Sequence, residues 1–294
     1  MSLAPQVSPL PARVVILGMG WSGCVLATQL QALGVRVVGT TRDPASAPDD
    51  GLLRHPLRTD TTLSAALLDE IAQAEAVLCS VPPDAEGDPA LRVLLPALQA
   101  SPALRWVGYL SSTSVYADRA GGWIDESSEA DAVEATGMQR RRAEAQWRAL
   151  AVERGITSAL FRLPGLYGPG RNALLQLSQG RARHIVRPGL VFNRLHVEDL
   201  AAVIIAALQR PAAQGLYLPS DDEPAPPQDV LAFAAQLGGF AMPAAVAWDD
   251  PALSPTLRRF YQSNKRIDSR GTRAVLGWEP RFPTYREGLR NLLR

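Results

Sequence analysis

Between Arg13 and about Arg162, short apolar runs alternate with longer amphipathic stretches. Val14-Val15-Ile16-Leu17 has the unbroken apolar character of a strand buried on both faces, and a helical stretch, Cys24 to Leu33, follows it after a cluster of glycines. Gly34 reads as that helix's C-cap, and Val35-Arg36-Val37-Val38 opens a second strand. Ala76-Val77-Leu78-Cys79, preceded by the helical DEIAQAEA, is another buried-strand run, and Trp106-Val107-Gly108-Tyr109-Leu110 is the next. Ser158-Ala159-Leu160-Phe161 follows an arginine-rich helix from about Gln139 to Glu153. Strands separated by helix-length crossovers predict an α/β fold, a doubly wound parallel sheet with helices on both faces.

After Pro164 the rhythm loosens. Two clear helices stand out, Val197 to Gln209 and Pro227 to Leu237, the second ended by Gly238-Gly239. The expected organisation is a flexible leader over 1–12, a sheet domain over 13–165, and a smaller C-terminal substrate-covering lobe over 166–294, partly interleaved with the sheet.

Composition narrows the partners. A chain of 294 residues buries a core without disulfide staples, and 30 basic against 29 acidic residues give no global field for nucleic acid or a membrane surface. Cys24 and Cys79 are too few for a disulfide framework or a zinc site, and no metal constellation is visible. MSLAPQVSPLPA lacks the layout of a signal peptide, and the apolar runs fall short of the ~20 residues that span a bilayer. The expectation is a cytoplasmic protein directed at a small molecule, with neither nucleic acid nor membrane as partner. One detail is sharper: Lys265 is the only lysine, so the other 29 basic residues are arginines. Arginine stays protonated where lysine can titrate near neutrality, so any mechanism needing a lysine upstream of 265 is excluded.

Gly18-Met19-Gly20-Trp21-Ser22-Gly23 matches G-x-G-x-x-G and lies between the first strand and first helix. The first glycine permits a tight turn, the second lets backbone approach a pyrophosphate, and the third allows close helix–strand packing. In that context the motif predicts a Rossmann-type dinucleotide site. A carboxylate at the end of the second strand would select NAD(H) through the adenosine ribose, but Thr40-Thr41-Arg42 stands there. Hydroxyls and a guanidinium suit a 2′-phosphate, which favours NADP(H); Asp43 keeps NAD(H) open, although Pro44 suits it to capping a turn. Ser80, Val81 and Pro82, after the strand ending at Cys79, are expected beside the cofactor, while Cys79 itself reads as a small core residue.

With the glycine loop in place, further segments resemble the extended short-chain dehydrogenase/reductase family, the sugar-nucleotide epimerases and dehydratases. Leu110-Ser111-Ser112-Thr113-Ser114-Val115-Tyr116 is similar to the family's fifth-strand motif, with Ser112 at the catalytic serine position. Gly122-Trp123-Ile124-Asp125-Glu126 resembles the loop that follows. Arg162-Leu163-Pro164-Gly165-Leu166-Tyr167-Gly168-Pro169-Gly170-Arg171 resembles the segment bordering the nicotinamide, and Asn193-Arg194-Leu195-His196-Val197-Glu198-Asp199-Leu200-Ala201 the N-R-(I/V)-H-V-x-D-L-A segment. The resemblance runs from about residue 13 to the C-terminus, and it implies that Ser111 and Pro164 flank the cofactor. A homodimer through helices flanking the sheet is common in that family.

The departure is equally specific. The family's acid/base tyrosine and its lysine are spaced Y-x-x-x-K, with a glutamate four residues further; aligned on Glu144, the lysine position holds Arg140 and the tyrosine position Thr136. A threonine hydroxyl has far too high a pKa to replace a phenol. The resemblance thus implies an atypical branch: Arg140 orients the ribose, Ser112 polarises the substrate oxygen, and the phenol's role falls to Tyr116, Tyr167, the substrate or water. Thr113, Tyr167, Arg171 and Arg194 are the expected substrate contacts, with Arg187 another guanidinium of the same half suited to carboxylate or phosphate. His196 reads as a helix-capping or core residue, and Asp199 as a first-turn carboxylate facing the helix dipole. The expected activity is that of an oxidoreductase, epimerase or dehydratase on a polar or anionic small molecule; the alternative is a non-catalytic NADP(H) sensor or regulatory module.

Overall fold

The computed structural model describes residues 7–212 and 214–293. The chain begins with β1 (Arg13–Leu17), α1 (Trp21–Ala32), β2 (Arg36–Thr41), β3 (Arg54–Pro56), α2 (Ala65–Gln73), β4 (Ala76–Cys79), α3 (Pro89–Ala100) and β5 (Trp106–Ser112). It continues through β6 (Trp123–Ile124), α4 (Ala135–Arg154), β7 (Thr157–Leu163), β8 (Gly165–Tyr167), α5 (Ala173–Ser178), β9 (His184–Val186), β10 (Arg194–His196) and α6 (Val197–Gln209). The remainder is β11 (Gln214–Tyr217), α7 (Pro227–Gly238), β12 (Ala245–Ala247), α8 (Pro255–Phe260), β13 (Arg266–Ile267), α9 (Arg270–Leu276) and α10 (Tyr285–Asn291).

Seven of these strands form one parallel sheet in the order β11-β7-β5-β4-β1-β2-β3. The expected doubly wound α/β sheet is therefore present. Its strands read as apolar runs because both faces are covered: α1 and α6 pack on one side around Ile16, Leu26, Leu30 and Ile204, and α2, α3 and α4 on the other around Val15, Leu67, Leu94 and Trp147. Each of these side chains loses about 1.5–3 kcal/mol of burial energy if exposed. Gly34, at φ +81, follows the last turn of α1 as expected.

Chain after residue 165 does not stay apart from the sheet. α6 packs on α1, and β11 adds a strand beside β7. A separate cluster of Leu174, Leu177, Val230, Leu231, Tyr285 and Leu289 joins α5, α7 and α10 into the C-terminal lobe. The expected leader falls partly on residues 1–6, outside the described residues; within its second half, the Ser8 N–H donates to the Gln209 carbonyl at 2.8 Å. No helix among the described residues is long and apolar enough to cross a membrane.

Candidate functional site

In an open parallel sheet the ligand crevice lies beyond the carboxyl ends of the strands, where the strand order reverses. Here that point is at β1, flanked by β2 on one side and β4 on the other. The Gly18–Gly23 loop leaves β1 at this place. Gly18 adopts φ +76, and a Cβ there would lie 2.8 Å from Val81 Cγ2, so the turn requires glycine. Its N–H donates to Thr40 Oγ1 at 2.9 Å, and its carbonyl accepts from Ser80 Oγ at 2.6 Å. Thr40, wholly buried, and Ser80 therefore brace the loop from both neighbouring strands. A Cβ on Gly23 would sit 3.3 Å from Ile16 and from Met19, which lets α1 lie close on β1.

Gly20 differs. It caps α1 with no side-chain hydrogen bond, the first helical turn carries no acid, and a Cβ added to it would meet nothing nearer than the Gly18 carbonyl at 3.9 Å. The uncapped N–H groups of the first turn and the clear space over Gly20 fit a dinucleotide pyrophosphate. At the end of β2, Thr41 is half-buried and Arg42 is exposed with no hydrogen-bond or ion-pair partner among the described residues. The Asp43 carboxylate accepts from the Ala45 N–H at 3.1 Å and caps the turn at Pro44–Ser46.

Ser112 closes β5. Its Oγ accepts from the Ser114 N–H at 3.1 Å, capping a short turn, and its own proton has no acceptor among the described residues. Thr113 follows in that turn, half-buried. Arg140 reaches in from α4: Nη1 donates to the Leu110 carbonyl at 2.9 Å and to the Tyr109 hydroxyl at 3.1 Å. The helix comes this close because Gly137 leaves no room for a side chain; a Cβ there would lie 2.4 Å from the Ser114 carbonyl oxygen. Thr136, at the expected tyrosine position, is exposed.

The structure draws other expected residues into the interior instead. Ser111 Oγ donates to Glu144 Oε1 at 2.6 Å, and Arg162 grips the same carboxylate through Nε at 3.1 Å and Nη2 at 2.8 Å. Arg162 Nη1 donates to the Tyr116 hydroxyl at 2.8 Å. All four side chains are buried. Burial pushes the Tyr116 phenol up, against the opposing pull of Arg162, so this tyrosine is held as a neutral network member. Tyr167 turns its ring edge to His196 and its hydroxyl toward the Thr284 carbonyl, 3.5 Å away, and burial pushes its phenol up as well. Arg194 donates to the carbonyls of Phe192 and Ala225, at 2.9 and 3.1 Å. None of Tyr116, Tyr167 and Arg194 is a free group at the end of β5.

His196 caps α6, its Nδ1 accepting from the Glu198 N–H at 3.3 Å, and Asp199 accepts from the N–H groups of Arg281 and Phe282. Cys79 donates its thiol to Asp88 Oδ2 at 3.0 Å within the core, and burial raises its pKa. Lys265 is buried too, with Nζ donating to the Tyr116 carbonyl at 2.9 Å; burial pulls the amine down to about 8.

Beyond the crevice, a cavity of about 630 Å³ opens in the C-terminal lobe. Arg171, Arg181 and Arg183 line it, facing Leu257, Phe260 and Tyr261. Arg187 is not part of that lining; it donates to the Tyr261 carbonyl and lays its guanidinium over the Trp248 ring at 4.7 Å. Sequence reasoning singled out Arg171 but missed Arg181 and Arg183, whose spacing in a glycine- and arginine-rich turn carries no periodic signal. Among the described residues no group of three or more His, Cys, Asp or Glu side chains could hold a metal ion.

Asp221 adds a pH dependence. It is 2% exposed, neither carboxylate oxygen has a hydrogen-bond partner among the described residues, and burial raises its pKa from 3.8 to about 8 despite Arg194. The folded chain holds a proton that the unfolded chain releases, so stability falls as pH rises from about 4 to about 8. His196, pulled down from 6.5 to about 4 by burial, acts oppositely, costing stability as pH falls below 6.5. Lys265 contributes only above about 8. Between about 6.5 and 8 the Asp221 slope therefore stands clear of both. Thermal melts across that window are expected to show a falling midpoint that Asp221→Asn flattens; an unchanged slope in the variant would assign it elsewhere.

Fold and glycine loop together define a Rossmann-type protein. The chain belongs to the NAD dependent epimerase/dehydratase family, whose model matches residues 14–217. It is 28% identical over 308 residues to the 3-diazoavenalumate denitrifying reductase of a Streptomyces species, covering 94% of this chain and 99% of that protein. It is 30% identical over 218 residues to Protein YeeZ of Escherichia coli K12, covering 70% of this chain and 76% of YeeZ. A solved structure of a functionally unknown conserved protein from Silicibacter pomeroyi superposes with a TM-score of 0.87 at 38% identity, over 96% of this chain and 98% of that one.

Proposed function

We propose that this chain is an NADP(H)-dependent enzyme of the oxidoreductase, epimerase or dehydratase type, acting on an anionic small molecule. The observation that carries the reading is the clear space over Gly20 at the head of α1, at the point where the strand order reverses. A dinucleotide held through its pyrophosphate on this loop would supply or accept hydride at its nicotinamide. Arg140, fixed by the Leu110 carbonyl and Tyr109, holds the ribose side of the cofactor, and Ser112 donates its free proton to a substrate oxygen. The three guanidiniums of the lobe cavity and its aromatic wall receive the anionic part of the substrate. The Streptomyces relative, a reductase by name, supports a reductive direction.

Arg42 favours NADP(H), because Asp43 is spent on its turn while the guanidinium stays unpaired among the described residues. Titrations following dihydronicotinamide emission are expected to show tighter NADPH than NADH binding, with Arg42→Ala reducing the preference about tenfold, the scale of one charge-assisted contact. Equal affinities in the wild type, or an intact preference in the variant, would sink the NADP(H) assignment.

One observation favours a second reading, a non-catalytic NADP(H) sensor: Thr136 is exposed where the acid stands in the family, and Tyr109, Tyr116 and Tyr167 are all buried. An enzyme lacking that phenol takes its proton from the substrate or water; a sensor transfers no hydride at all.

A further inference from the structure

We propose that Trp21 and Arg171 form a clasp between the glycine loop and the C-terminal lobe that retains the dinucleotide and makes Arg171 a cation shared by the cofactor and substrate sites. The proposal rests on the dinucleotide reading above. Trp21 is the first residue of α1, beside the clear space over Gly20. Its indole Nε1 donates to the Pro169 carbonyl at 2.9 Å, across 148 positions of sequence. Among the described residues this is the one side-chain hydrogen bond between the loop Gly18–Gly23 and the lobe.

The acceptor is firmly presented. Gly168 and Arg171 exchange backbone hydrogen bonds of 2.9 and 3.0 Å, Gly170 turns the corner at φ +75, and Asn172 Nδ2 donates to the Gly168 carbonyl at 2.9 Å. Gly168 has no room for a side chain: a Cβ there would lie 2.7 Å from Val197 Cγ1 and 3.5 Å from Trp21 Cζ2. The turn is thus packed directly against both α6 and the indole.

Arg171, at the end of that turn, lays its guanidinium over the Trp21 ring, 4.6 Å from the centroid. A stacked guanidinium keeps its N–H edge available. No side-chain hydrogen bond or ion pair among the described residues uses it. The same side chain lines the cavity with Arg181 and Arg183. One cation therefore faces the head of α1, where a pyrophosphate sits in the reading above, and the cavity that receives the substrate's anion. Trp21 fixes the plane of that cation, and the rigid turn fixes Trp21. Releasing the dinucleotide then requires the indole to leave the Pro169 carbonyl or the lobe to lift with it.

The test is NADPH release by stopped flow, followed by dihydronicotinamide emission, in wild type, Trp21→Phe, Arg171→Ala and the double variant. Phenylalanine keeps a ring under Arg171 and removes the N–H donor, so a thermal melt matching wild type is expected. Each single variant is expected to release NADPH about five- to tenfold faster, the scale of one hydrogen bond or one cation–π contact. The double variant is expected to be no more than about twofold faster than the faster single one, because both changes undo one clasp. Wild-type release from Trp21→Phe, or multiplying effects in the double variant, overturns the clasp and leaves the cofactor reading standing. A wild-type chain that binds neither NADPH nor NADH in titration overturns both.

Discussion

Glu144→Ala is expected to destabilise the chain by about 3–5 kcal/mol, the cost of leaving a buried charge without its partner. Arg162 holds Glu144 through two contacts, of 3.1 and 2.8 Å, with both side chains at 5% exposure or less. Removing the carboxylate also strands Ser111, which donates to it, and frees the guanidinium that steadies Tyr116. A loss of that size lowers the thermal midpoint on the order of 10 °C in a chain this long. Glu144→Gln keeps the volume and one acceptor but not the charge, and should fall between. A paired change, Glu144→Leu with Arg162→Met, should recover part of the loss, because it removes the unpaired charge but leaves the Ser111 and Tyr116 hydroxyls without these partners. Melts by circular dichroism decide the matter: Glu144→Ala within about 1 kcal/mol of wild type would mean that water or a rearranged partner satisfies Arg162.

Gly20→Val is the opposite experiment, with a large effect on binding and little on the fold. Gly20 sits at φ −87 and ψ −158, which any residue adopts, and its Cβ direction meets no protein atom nearer than 3.9 Å. The valine would fill the space through which backbone approaches a pyrophosphate, losing several charge-assisted hydrogen bonds at once. NADPH affinity is expected to fall at least about 100-fold, with the melting midpoint nearly unmoved. Gly18→Val makes the contrast, because its φ of +76 and the 2.8 Å approach to Val81 bring down stability as well. Near-normal affinity in Gly20→Val would show that the pyrophosphate does not lie on this loop.

The sheet was legible wherever its strands are apolar on both faces. β1, β4, β5 and β7 announce themselves because hydrophobic cover on two sides demands it, and α6 runs from Val197 to Gln209, matching its apolar stripe. β3 (Arg54–Pro56) and β11 (Gln214–Tyr217) stayed hidden, being short outer strands of the sheet whose partly polar residues leave no period to read. In the crevice, the glycine loop was legible because backbone conformation dictates residue type there. The tyrosines were not, since a motif fixes a residue's place on a strand end and leaves the direction of its side chain to packing. The Ser111–Glu144–Arg162–Tyr116 network did leave one trace: Arg162 interrupts the run Ala159-Leu160-Phe161, and a guanidinium inside a buried strand calls for a buried carboxylate.

Lys265, with its amine under the Tyr116 carbonyl, carries one more consequence. Because no other side-chain amine exists in the chain, a reagent that acylates ε-amines has a single internal target, and that target is 7% exposed. Acylation at this residue is expected to follow the opening of the segment around it. The chain thus holds a built-in clock for the local breathing around the Tyr116 carbonyl, readable as one mass increment on one peptide.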